Sequence, residues 1–237
     1  MRRAGLAGIA MAIAGLVLAS SSASGHLFHK IYEPPENQLT KDARLLRLLI
    51  DDPTDRFELA RQVYEGETRI RIKPGGFRKW LKRPIEPGMV FRASYQLNRW
   101  SGSLKEEAER IDQEQGTDLA GRMAAGLDDR KRDVVAAAMR EMFVVLIGEL
   151  LESLWQRVED EEAAARLYGY VLSYYSINLE GYLNIHHLNA ATTARTALDA
   201  MTRALGDPET GAPPAPEAFD KQRRRFLRVL REVVGPR

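Results

Sequence analysis

DDRKRDVVAAAMREMFVVLIGELLESLWQRVE, residues 128–159, decides the fold. Met139, Phe143, Leu146, Leu150, Leu154 and Val158 recur at spacings of three and four, the period of one helix face. Asp128 or Asp129 offers an N-cap, so the stretch predicts one long helix. Glu141, Glu149 and Glu152 fall away from the apolar stripe and read as a solvated acidic face. Glu149, set between Gly148 and Leu150, fits that reading least comfortably.

Working outward, further helices are expected on both sides. Downstream, a helix opens near Asp160 and runs toward Leu205. Its stripe is Leu167, Val171, Tyr174, Gly181, Ile185, Leu188, Thr192 and Met201. A proline-rich loop over residues 207–216 precedes a last, basic helix over residues 218–234. Phe219, Phe226, Val229, Leu230 and Val233 face inward there. Upstream, Ser103 and Glu106 mark the start of an acidic helix. Thr117 or Asp118 opens a short piece ending near Gly126. Two short helices come earlier, over residues 40–50 and from a Thr54 or Asp55 cap to Tyr64. The expected fold is mainly α: a bundle of about three long helices, with short N-terminal helices and a small irregular or β-hairpin-like insertion.

That insertion, residues 66–100, differs in kind. Residues 68–73 and 89–95 alternate in hydropathy, and Pro74, Gly75, Gly76, Pro84, Pro87 and Gly88 punctuate the interval. From 68 to 100 there are nine basic residues and one acidic one, Glu86. Aromatic residues are interleaved, and Arg78, Lys79, Trp80, Lys82 and Arg83 concentrate both characters in one short amphipathic turn. Near an anionic surface each Lys or Arg contributes on the order of 1 kcal/mol, and aromatic rings suit the interfacial layer.

Residues 1–25 read as an address. Arg2 and Arg3 precede 14 uncharged residues, 6–19, and small residues follow. This is the layout of a signal peptide, with an uncleaved anchor as the alternative. Residues 26–37 form a tether and 38–237 a single helical domain. Export places the protein in the periplasm, or on the inner membrane if the leader is retained. It also makes nucleic acid an improbable partner for the basic segment. Lipid head groups, lipopolysaccharide, cell-wall polymer or an acidic protein surface take its place. Loss of Arg2 and Arg3 from 35 basic and 33 acidic side chains leaves the mature chain near neutral. With no cysteine, stability must come from the packed core.

The histidines lie at two places. His26 and His29 stand beside the expected cleavage site. Cleavage after Ala23 yields Ser24-Gly25-His26, whose amine, two amides and imidazole can wrap copper or nickel in a square plane. Cleavage after Gly25 puts His26 itself first. His186 and His187 point about 100° apart on a helix, so one is expected in the core and one on the surface. The chain has no Glu-x-x-His pair, which excludes a di-iron bundle. It has no Gly-x-Ser-x-Gly, His-Glu-x-x-His or P-loop motif either. The expected function is therefore a non-enzymatic envelope protein that binds a protein partner or an anionic envelope surface. A periplasmic copper- or nickel-binding protein is the competing class, and an enzyme of unfamiliar chemistry the third.

Overall fold

Asn37 starts the helical body by accepting a hydrogen bond from Thr40 N at 3.0 Å, while Thr40 Oγ1 accepts from Asn37 N at 3.1 Å. This reciprocal cap sets the first helix, α1 (Gln38–Ile50). The structure is a computed structural model and describes residues 37–67, 103–206 and 211–234. The expected leader, nearly all of the tether and the basic segment from 68 onward lie outside the described residues.

The described residues are mainly helical, with no strand among them. After α1 come α2 (Phe57–Glu65), α3 (Leu104–Gln115), α4 (Leu119–Asp128) and α5 (Arg132–Trp155). Then follow α6 (Glu161–Tyr175), a π-helical turn (Ser176–Glu180), α7 (Gly181–His186), α8 (Leu188–Ala204) and α9 (Pro216–Val234). The α5 helix is the hub: α1, α3, α4, α6 and α9 all pack on it, and α8 packs on α9. The six apolar stripe residues read from the sequence are all buried, although Val158 lies past the end of α5, and Val135, Met142, Ile147 and Leu151 are buried on other sides of the helix.

Several boundaries differ from the sequence reading, each for a local reason. Asp128 belongs to α4, and Asp129 is that helix's C-cap. Arg130 turns the chain at φ 57°, and Lys131 N donates back to Gly126 O at 2.7 Å. The acids that resemble an N-cap of α5 thus end the previous helix, and α5 starts after Lys131. Neither Thr117 nor Asp118 caps α4 with its side chain. Asp112, reaching over from α3, accepts from Leu119 N at 2.7 Å, Ala120 N at 2.8 Å and Thr117 Oγ1 at 2.6 Å. Before α2 the cap position is Arg56, because Asp52 already holds Thr54 N and Oγ1 and Asp55 is left-handed at φ 55°.

The helix expected over residues 160–205 is broken twice. Asp160 caps its start by accepting from Ala163 N at 3.1 Å. The π turn then inserts extra backbone after Tyr175, and His187 leaves helical geometry at φ −145°, ψ 57°. The break rotates the buried stripe. Gly181, Ile185, Leu188 and Thr192 are exposed, and Leu183, Ala191, Ala194, Leu198 and Met201 are buried instead.

The acidic face of α5 is also corrected. Each carboxylate clasps an arginine from a different helix. Glu141 Oε2 accepts from Arg122 of α4 at 2.6 Å, and Glu149 Oε2 from Arg110 of α3 at 3.0 Å. Glu152 pairs with Arg223 of α9. Glu141 is only 4% exposed and Glu149 is half-buried, so these two form an internal clamp, whereas Glu152 is exposed as expected and meets Arg223 at the surface.

Candidate functional site

Arg78, Lys79, Trp80, Lys82 and Arg83, and likewise His26 and His29, lie outside the described residues. Within them, three places gather chemistry.

The first is the outer face of α9. This helix buries Phe219, Arg223, Phe226, Leu227 and Leu230. On the opposite face stand Lys221, Arg224, Arg225 and Arg228, with Arg231 at its edge toward α5, all exposed. The row runs about 15 Å along the helix at 1.5 Å per residue. Arg224 pairs with Asp220 at 2.7 Å. No carboxylate lies within ion-pair distance of Lys221, Arg225, Arg228 or Arg231 among the described residues. Exposed Glu217 and Glu232 stand at the two ends. The surplus is local, because the described residues together hold 22 basic and 28 acidic side chains.

The second is the π turn and the helix break that follows. Neither histidine is in the core: His186 is exposed and His187 half-buried. Because the helix breaks at His187, both rings pack on one residue, Tyr182, at 5.0 and 5.3 Å between centroids. His187 Nε2 lies 3.2 Å from Tyr182 Oη. The Arg140 guanidinium of α5 stacks over the Tyr182 ring, with Cζ 3.9 Å from its centroid. From α1, Arg47 Nη1 donates to Ile177 O in the π turn at 3.0 Å. Burial holds the Arg140 guanidinium below its ordinary range, Tyr182 and Asp133 oppose this, and the Arg47 charge adds to it. Ile185 and Leu188 flank the break and are 77% and 66% exposed. The four-residue spacing of Tyr182 and His186 was legible locally. Arg47 and Arg140 come from distant helices and left no local signal.

The third is an open cleft of about 660 Å³ between the α1–α2 and α4–α5 connections. Ile50, Pro53, Phe57 and Val134 line its apolar part. Its charges are spent on one another: Arg130 pairs with Asp55 at 2.6 Å and Lys131 with Asp129 at 2.7 Å. The first pair ties the two connections together, the second lies within one of them, and both leave little for a ligand.

Among the described residues no group of His, Asp and Glu is placed to hold a metal ion, and no helix is long and apolar enough to cross a membrane. The chain matches no family model, no curated protein and no solved structure.

Proposed function

We propose that this protein is an exported, non-enzymatic helical protein of the periplasm that binds an anionic envelope surface or an acidic protein partner. Its body is a bundle of long helical runs, and the basic-aromatic segment 66–100 is inserted between α2 and α3. Arg78, Lys79, Trp80, Lys82 and Arg83 make the first contact. The observation that carries this reading is the outer row of α9. Lys221, Arg225, Arg228 and Arg231 form a second basic surface on a body whose charge is otherwise acidic. Four of the row's five cations are arginine, whose planar fork matches phosphate and carboxylate oxygens. The apolar side of α9 is committed to the core, so the helix lies on a charged surface and does not insert into it.

Flotation of the full chain with vesicles containing anionic phosphatidylglycerol, against pure phosphatidylcholine, tests this. Binding to the anionic vesicles only, weakened steeply by salt, is the expected result. Lys79→Gln with Lys82→Gln removes two contacts worth about 1 kcal/mol each, which lowers affinity by roughly thirtyfold. Equal behaviour on both vesicle types, or a variant that binds as well as the parent, overturns the surface-binding reading.

A further inference from the structure

Interior arginines elsewhere in this molecule are neutralised. Arg110 holds Glu107 and Glu149, Arg122 holds Glu141, and Arg223 holds Asp220 and Glu152. Arg47 and Arg140 are the exceptions. Both are half-buried, yet no carboxylate lies within 4.0 Å of either among the described residues. Glu180, the acid of the π turn, is taken by Arg195. Two half-buried guanidinium groups that feel each other's charge, with Asp133 acting on Arg140 only from beyond ion-pair distance, are costly to hold out of water. Arg140 spends its face on Tyr182, and only Nη1 of Arg47 is spent, on Ile177 O, so N–H edges remain to donate.

The backbone departs from regular helix at the same place. The π turn and the break at His187 bring His186 and His187 against Tyr182, whose ring carries the Arg140 guanidinium, and single π turns are frequent at functional sites. From this we infer that Arg47, Arg140, Tyr182 and His187 form a binding site for an oxyanion of the phosphate class. The guanidinium groups supply forked donors, and the Tyr182 hydroxyl and His187 ring supply the remaining polar contacts. Exposed Ile185 and Leu188 stand ready for an apolar chain attached to that phosphate. The site shares no residue with the basic segment or α9, so its success or failure is independent of the surface-binding reading.

The test is titration of the full chain with inorganic phosphate, at fixed pH and with sodium chloride holding ionic strength constant. The readout is the C2–H resonances of His186 and His187. Saturable shifts beyond those caused by chloride are expected. Arg140→Gln weakens binding about tenfold, the size of one lost charge-assisted hydrogen bond. Arg47→Gln, on a separate helix, does the same, and circular dichroism checks that each variant keeps its helices. Arg166→Gln, at an exposed position of α6, leaves the shifts unchanged. A second arm uses monomeric dihexanoyl phosphatidic acid. Tighter binding than inorganic phosphate, lost in Leu188→Ser, identifies a lipid head group as the source, and equal affinity identifies free phosphate. Shifts no larger than those from chloride, or full affinity retained in both folded arginine variants, overturn the site.

Discussion

Arg110 carries three carboxylates at once: Glu107 at 2.6 Å, Glu114 at 2.6 Å and Glu149 at 3.0 Å. Glu107 has no exposed surface, and the Arg110 guanidinium that meets it offsets the cost of burying its charge. Removing one partner of such a pair leaves the other buried, and that is where the cost lies. Arg110→Met is expected to destabilise the fold by about 3 kcal/mol, read by urea unfolding. Glu107→Gln in the same chain should recover part of that loss, because the stranded charge is gone. A loss under about 1 kcal/mol would show that the pair behaves as an exposed one. Such pairs are where the sequence was least legible. Glu141 and Glu149 stand off the main apolar stripe, as solvated residues would. Their partners, Arg122 and Arg110, lie 19 and 39 residues earlier, and no local pattern connects them. Glu149 looked uncomfortable because it is in fact half-buried at a helix contact. Histidine placement failed for a related reason: a regular helix would separate the two rings, and the break at His187 lets both reach Tyr182.

At the scale of elements, periodicity and caps located most of the helices. Ser103 accepts from Glu106 N at 3.1 Å and Asp160 caps α6, both as their residue types indicate. What failed was continuity. Residues 160–205 contain no proline, and a π turn has no compositional mark, so nothing announced the rotated stripe. Glycine illustrates the same division between local and tertiary control. Gly148 lies inside α5, and a Cβ there would meet Arg231 Nη2 at 3.7 Å and Leu227 Cδ2 at 3.8 Å, ordinary contact distances. Gly126 lies inside α4, where a Cβ would come within 2.8 Å of Val135 Cγ2 and 3.2 Å of Val135 N. Gly148→Ala should therefore stabilise the protein by about 0.5–1 kcal/mol, the ordinary helix gain. Gly126→Ala should destabilise it, because α5 must move away from α4. Thermal unfolding of the two variants reads opposite signs. Equal signs would mean that propensity alone governs both sites.

At the scale of the whole molecule, one continuous core joins α1 to α9, and no cysteine cross-links it. Stability then rests on groups that must stay neutral inside that core, which makes alkaline pH a probe of the entire body. Tyr64 of α2, together with Tyr174 and Tyr175 of α6, is buried. Tyr64 Oη donates to Ala120 O at 3.1 Å, and Tyr174 Oη accepts from Asn37 Nδ2 at 2.8 Å. Burial raises all three phenols above the usual tyrosine range, Tyr175 to about 12. A folded-state value raised above the unfolded one means that the folded chain holds its proton longer. The stability this contributes is fully present below about pH 10, where phenols in the unfolded chain begin to ionise. It is lost progressively as pH climbs from 10 toward 12. The expected result is a fall in unfolding free energy across that window, with the tyrosinate absorbance of the buried phenols appearing together with helix loss. Tyr175→Phe keeps the ring against Phe226, now 5.5 Å away, and removes the ionisable group, so it should flatten the fall. If Tyr175→Phe left the alkaline slope unchanged, the phenols would not be what limits the core at high pH.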